Sequence, residues 1–454
     1  LKVLIKYSIP LIITFILEHF FSIVCLIVVG HLGKDELAAV SLGSMTTTIT
    51  FAIFEGIATA LDTLCPQAYG AGHYDLVNIQ VQRCLTFSLI VYIPCAIMWW
   101  YSASMLKFII DTPSVLYLTQ SFLRILVVGG PGYIFFEVCK RFLQAQGIFE
   151  AGTGILFISA PLNIFLSWFL VWNKSLNLGF IGAPIATIIN FYFMDLLLIL
   201  YIVFIDGKAC WSGIVPFKQL FSQWGKLCHL AIPGIIMLES EYFAYEIMTL
   251  IASYFGTTEL AAQTAVSSIA SLTYMVPFAI SIAASTRIAN FIGGQNASGA
   301  KIAVRVGLWV GLFSSLSNGI ILYIFKGKIA QLFSSDFSVI NLIILLFNPL
   351  VSIIQVFDGL ASVASGILRA QGLQKIGGLI NFLAYYAFAI PLALIINKYL
   401  DLKLTGLWLG IGSGMLLIGV SEIIVILYGD WDKILADAGL HNDYFDDIGD
   451  LTDD

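Results

Sequence analysis

Charge is what this 454-residue chain has least of: Asp, Glu, Lys and Arg make up 11% of it, where a soluble globular domain carries about 25%. With 59% hydrophobic residues and a mean hydropathy of +0.93, that scarcity excludes a water-soluble domain and leaves no basic surface for nucleic acid. Cysteine is sparse as well. There are seven, an odd number without a CxxC pair, and nearly all fall inside apolar stretches, so they read as buried thiols. Neither a disulfide framework nor a zinc site is supported, and no metal site is expected. The phosphate-binding pattern GxxxxGK[ST] and the metalloprotease pattern HExxH are both missing, and no soluble stretch is long enough to house a nucleotide hydrolase. No enzymatic activity is expected.

What fills the chain instead is apolar sequence. Blocks of about 20 residues or more suffice to cross a hydrocarbon core of about 30 Å. Twelve occur, at approximately 5-30, 42-65, 82-101, 115-138, 152-172, 180-205, 228-255, 260-288, 304-325, 338-364, 376-396 and 405-428. This is a multi-pass membrane protein. Lys and Arg number fourteen on the side that holds the N-terminus, the even-numbered loops and the C-terminus, against seven on the other. Both termini are therefore expected in the cytosol, with the plasma or vacuolar membrane as the expected site. The formal charge of -6 is misleading, because nine aspartates against Lys433 lie from Asp430 onward and leave the body at +2. That stretch, ending DYFDDIGDLTDD, reads as a disordered, solvated acidic tail. The first residue is Leu rather than Met, from which a trimmed N-terminus is expected, and the first block is too long for a signal peptide.

The sequence is written twice. IKYSIPLIIT from Ile5 aligns with CHLAIPGIIM from Cys228, setting Pro10 against Pro233 at an offset of 223. HLGKDELAA (31-39) meets YFGTTELAA (254-262) at the same offset, and QAQG (144-147) meets RAQG (369-372) at 225. Six spans per half place both halves in the same orientation, the parallel repeat found in some transporters, with a cavity expected between the lobes. The predicted fold is an all-α integral membrane protein of twelve transmembrane helices in two six-helix pseudo-symmetric lobes. The lobes are 1-206 and 228-428, joined by a cytosolic linker at 207-227 and followed by the tail at 429-454. Within the linker, Phe217, Leu220, Phe221 and Trp224 follow helical spacing, which fits either a short helix in the interface plane or a plain loop.

The seventh block holds three glutamates, Glu239, Glu241 and Glu246, where each costs about 2.5 to 3.5 kcal/mol at the bilayer centre. Protein, water or a bound cation must compensate. Glu241 and Glu246 are about 140° apart around a helix, so the three cannot share one small site; Glu241 is chosen for the cavity. Its repeat counterpart is Glu18, followed by His19, either a titratable pair or a satisfied hydrogen bond. Asp358 is the only acid between Ser338 and Arg369, and shares a proton or cation with Glu241 in this reading. Asp62 and Glu137 lie close to predicted cytosolic ends and are placed at the interface, Arg287 and Arg369 are expected to contact headgroups or to cap helices, and Glu55, Asp195 and Glu422 fall in or beside spans. With no nucleotide site, an ion gradient must drive any uphill movement.

The stretches ALDTLCPQAYGAG (60-72), WSGIVPFKQLFSQWGKLCHLAIPGIIM (211-237), SIAASTRIANFIGG (281-294), FDGLASVASGILRAQG (357-372) and GDWDKI (429-434) resemble multidrug and toxic compound extrusion (MATE) transporters of the eukaryotic branch, over essentially all twelve spans. That resemblance implies a V-shaped pair of lobes exporting organic cations or other xenobiotics in exchange for protons by alternating access. Proton motive force is the expected drive, with sodium as an open alternative, and no cofactor. It implies small cationic substrates, protons and lipid as partners of a monomer. By motif position Glu241 matches the essential acid of the seventh helix, Glu246 the second acid there and Asp358 the acid of the tenth. Glu239 matches none and is expected to be structural. Tyr242, Phe243 and Tyr245 would supply cation-π surface. Many bacterial relatives carry a first-helix aspartate where this chain has Cys25, which points to the C-terminal lobe for proton coupling. A lipid flippase of the same superfamily is the alternative function; it should show a continuous charged groove. An intramembrane transferase should show a His or Asp cluster at one membrane face, which this sequence lacks.

Overall fold

The computed structural model describes residues 1–443, apart from the side chains of Ser22, Leu26 and residues 441–443; residues 444–454, most of the acidic tail, lie outside the described residues. The described chain is helical, without strands. Its helices are α1 (Lys2–Gly30), α2 (Lys34–Gly70), α3 (Tyr74–Trp100), α4 (Pro113–Leu126), α5 (Gly130–Ala145), α6 (Glu150–Trp172) and α7 (Gly182–Phe204), and then α8 (Trp224–Phe255), α9 (Thr257–Gly293), α10 (Ala297–Phe333), α11 (Phe337–Phe347), α12 (Leu350–Ala370), α13 (Gln374–Leu400), α14 (Leu404–Leu427) and α15 (Trp431–Asp443). Ten helices are long and apolar enough to cross a membrane, and α4 with α5, bent by 52° at residues 127–129, makes an eleventh. The glutamate-bearing α8 has 32 residues, about 48 Å at 1.5 Å per residue, and supplies the remaining span.

Helix ends follow the repeat. Helix α2 begins at Lys34 and ends at Gly70, and α9 begins at Thr257 and ends at Gly293, both ends at the offset of 223. The QAQG and RAQG turns close α5 and α12 alike: Gly147 has φ 79° and Gly372 φ 73°. Ile148 N–H donates to Leu143 O at 3.0 Å in the first, and Leu373 N–H to Leu368 O at 2.9 Å in the second. A left-handed residue after the last turn satisfies the orphan carbonyls of a helix end, and glycine takes that conformation without a Cβ clash.

The chain divides into two compact units, residues 13–228 and residues 229–454 together with 1–12, so the division falls inside α1 and α8. In the first unit Phe51 stacks on Tyr133 at 3.9 Å and Trp99 Nε1 donates to Thr50 Oγ1 at 3.1 Å. The linker belongs to this unit. It holds a 3-10 turn at Lys208–Cys210, one short α-helical turn at Phe217–Leu220 and the start of α8 at Trp224; the rings of Phe217, Phe221 and Trp224 pack in succession at 4.6 and 5.2 Å, and Arg83 on α3 holds Ser222 Oγ at 3.1 Å.

In the second unit α12 is the central helix. Small residues let it approach its neighbours closely: a Cβ at Gly366 would meet the Ser281 carbonyl of α9 at 2.8 Å, and one at Gly311 of α10 would meet Val363 at 2.8 Å. The first part of the acidic segment is not disordered. Helix α15 buries Ile434 and Ala438, is capped by Asp430 Oδ1, which accepts from Asp432 N–H at 3.1 Å, and receives Gln295 Nε2 on Leu435 O at 3.0 Å. Its apolar stripe was masked in the sequence by the surrounding aspartates.

Candidate functional site

The second unit brings Glu241 and Asp358 together. Close packing of α12 buries Asp358, and Glu241 on α8 is half-buried and within electrostatic reach of it. Three tyrosines surround the pair: Tyr245 on α8, Tyr274 on α9 and Tyr385 on α13 each interact with both carboxylates. Neither acid makes a hydrogen bond or ion pair with any described residue, and no Lys or Arg acts on them there. The arrangement is two carboxylates in an aromatic wall with no fixed counter-ion. It can take a proton or a cation.

Local structure explains the wall. Tyr245 is one helical turn from Glu241 and is held by Trp408, ring centroids 5.9 Å apart at 69°, while Trp408 donates to Gln263 Oε1 at 2.9 Å. Tyr385 lies in a π-helical segment, Leu383–Ala389, just before Pro391. Proline lacks the N–H that a regular helix would use, and a π turn absorbs the mismatch. The next residue, Tyr386, donates its hydroxyl to Ser240 O at 3.1 Å.

The other candidates of α8 lie elsewhere. Tyr242 and Phe243 are exposed, at 40% and 44%, although Tyr242 reaches Tyr274. Glu246 is exposed and takes part in none of the interactions of the Glu241 cluster. Glu239 is buried with neither carboxylate oxygen hydrogen-bonded to a described residue. Tyr274 and Tyr385 escaped the sequence reading, since nothing in their local pattern distinguishes them from core aromatics.

The first unit holds a different constellation. Lys140 Nζ lies 3.0 Å from Glu18 Oε1 and 2.8 Å from Glu137 Oε1, with the rings of Phe15 and Phe136 at 5.7 and 5.4 Å. Arg141 pairs with Asp62 at 3.2 Å and with Glu137 at 3.0 Å, and Glu55 interacts with Glu137, Arg141, Lys140 and Glu18. Three expectations change. Asp62 and Glu137 are not interfacial: α5 runs on to Ala145, so Glu137, Lys140 and Arg141 lie within a helix rather than a loop, all buried. The partner of Glu18 is Lys140 rather than His19. Arg369 is buried and donates to Ser281 Oγ at 3.2 Å, while Arg287 covers Phe291 at 4.3 Å. Glu422 is fully buried and accepts from Ser365 Oγ at 2.7 Å.

The family model described as MatE matches the chain in two segments, residues 10–169 and 233–395. The chain belongs to the MatE family. The two matched segments begin on Pro10 and Pro233, the pair that set the repeat offset. An uncharacterized transporter of Saccharomyces cerevisiae is 53% identical over 98% of this chain; the chain spans 64% of that relative's length. Multidrug and toxin extrusion protein 2 of Mus musculus is 30% identical, covering 94% of this chain and 74% of the relative. The crystal structure of the eukaryotic MATE transporter AtDTX14 superposes with a TM-score of 0.89 at 28% identity, over 96% of this chain and 97% of that one. The chain is thus a multi-pass membrane protein with the fold of that family.

Proposed function

We propose that the chain exports organic cations or other xenobiotics and metabolites in exchange for protons, with Glu241 and Asp358 as the exchange site. The observation that supports this most is the pair itself: two carboxylates that act electrostatically on each other and on three tyrosines, with no fixed cation among the described residues. Two such acids in an apolar surround repel one another when both are ionised, so one proton or one cation stabilises the pair. Competition between the two for the same charges couples their movements, and alternating access carries each across in turn. Tyr245, Tyr274 and Tyr385 present ring faces to a cationic substrate. Glu246, exposed on the same helix, acts outside this pair. The named relatives that are called multidrug and toxin extrusion proteins agree with such a substrate class. Both termini face the cytosol, of the plasma or vacuolar membrane, and the protein works as a monomer.

The test is efflux of tetraphenylphosphonium from vesicles with an imposed proton gradient, repeated with a sodium gradient. Wild type should respond to the proton gradient. Glu241→Gln and Asp358→Asn should each lose about ten-fold or more at equal protein level, within the 5- to 150-fold range of coupling between two ligands. Full proton-driven efflux by Glu241→Gln would refute the assignment, and a response to sodium alone would replace the driving ion. Loss of lipid movement rather than cation movement in the variants would support a flippase.

A further inference from the structure

The repeat allows the two charged constellations to be compared position by position. Glu18 corresponds to Glu241 at the offset of 223, and Lys140, Glu137 and Tyr133 correspond to Ser365, Ser362 and Asp358 at the offset of 225 that aligns QAQG with RAQG. Each unit therefore places a glutamate on its first helix beside a second acid on its fourth helical span: Glu137 in one, Asp358 in the other. Each also lines the acids with aromatic rings. One difference separates them. In the first unit an ammonium group fills the space between the acids, 3.0 and 2.8 Å from the two carboxylates and within 6 Å of the Phe15 and Phe136 faces; in the second unit a serine stands at the lysine's position and turns to Glu422 instead.

We infer that Lys140 is a tethered cation, occupying for Glu18 and Glu137 the place that an exchangeable proton or cation takes at Glu241 and Asp358, so that Glu18 is barred from exchange. This rests on the exchange role of Glu241 and Asp358. A mobile cation cannot displace Lys140 cheaply, because a charge left alone in a low-dielectric interior costs several kcal/mol. The groups facing the ammonium are Glu18 and Phe15 on α1, Glu55 on α2, and Glu137, Phe136 and Arg141 on α5, with Gly152 of α6 closing the lysine's stem. Arg141 is engaged by Asp62 and Glu137. Glu55 forms no ion pair or hydrogen bond with a described residue but feels the Lys140 charge, so every chain compared below, the wild-type reference included, carries Glu55→Gln. The consequence is asymmetry. Two units built from one repeat carry one exchange site between them.

The inference is tested by counting protons released when tetraphenylphosphonium binds the purified full chain in weakly buffered detergent solution. Lys140→Met should bind a second tetraphenylphosphonium and release about one proton more per molecule than wild type, because Glu18, protonated from solution once the lysine is gone, then exchanges that proton for the probe. Lys140→Arg should match wild type, which a merely space-filling role would not require. The double variant Glu18→Gln/Lys140→Met removes both charges of the pair, a change that folded proteins often tolerate, and should also match wild type. A folded Lys140→Met with the wild-type count would overturn the inference. So would a double variant releasing about one proton fewer than wild type, since Glu18 would then be exchanging in its own right; this arm decides even if Lys140→Met does not fold. Wild type that binds the probe without releasing protons, with Glu241→Gln identical to it, would instead remove the exchange role of Glu241 and the inference with it.

Discussion

Buried charge in this protein is handled residue by residue in two ways. Glu137 is compensated twice over by fixed cations, Lys140 at 2.8 Å and Arg141 at 3.0 Å, whereas Asp358 has a second acid and tyrosine rings for company. Removing Arg141 takes an ion-pair partner from both Asp62 and Glu137, and breaking a buried pair costs about 3–5 kcal/mol. Arg141→Met should therefore melt at a markedly lower temperature than wild type in detergent, and Asp62→Asn/Arg141→Met should recover part of the loss. A single variant as stable as wild type would show the network to be dispensable. Glu241 and Asp358 were legible in the sequence because an acid inside an apolar block needs a reason wherever it falls. Lys140 and Arg141 were not, since two cations just beyond an apolar block look like an ordinary cytosolic loop. Without them the charge bias still favours the same orientation, by twelve to seven.

At the scale of the element, the repeat governs where helices stop. Gly147 and Gly372 end α5 and α12 in the left-handed region, where an L-residue is strained by about 1–3 kcal/mol. Gly372→Ala should lower the melting temperature, while Gly225→Ala in the first turn of α8, whose added Cβ would meet nothing within 4 Å, should leave it unchanged or raise it. Equal melting of the two would deny the turn its conformational role. Helix boundaries read from hydropathy were too short where polar or small residues continue a helix. Helix α2 reaches from Lys34 to Gly70, well past the block at 42-65, and its end carries buried Gln67, which hydropathy counts as solvent-facing. Helix α15 was missed for the opposite reason: Asp432 and Asp437 make the stretch read as solvated, yet Ile434 and Ala438 lie four apart on one face and are buried.

For the whole molecule, six spans per half predict that the two halves share orientation as well as sequence. Tags at both ends should be reached by protease only from the cytosolic side of sealed vesicles, and a cysteine introduced at Lys174, between α6 and α7, should be labelled only from the opposite side. Labelling of both from one side would overturn the positive-charge argument for orientation. The membrane spans, the internal repeat and the family were legible because a bilayer demands long uninterrupted apolar stretches, and because a duplicated sequence keeps its helix-ending residues in register.

Sequence by itself determined the solvent of this protein, its two-fold internal repeat and the acids that need explanation, since each depends on composition or on spacing along one chain. Tertiary structure alone decided which of those acids already has a cation. Glu18 and Glu241 stand at matching positions and read alike in the sequence, but their partners come from helices more than a hundred residues away, Lys140 for one and Asp358 for the other. An ion pair forms where side chains meet in space, and the three-dimensional fold sets those meetings.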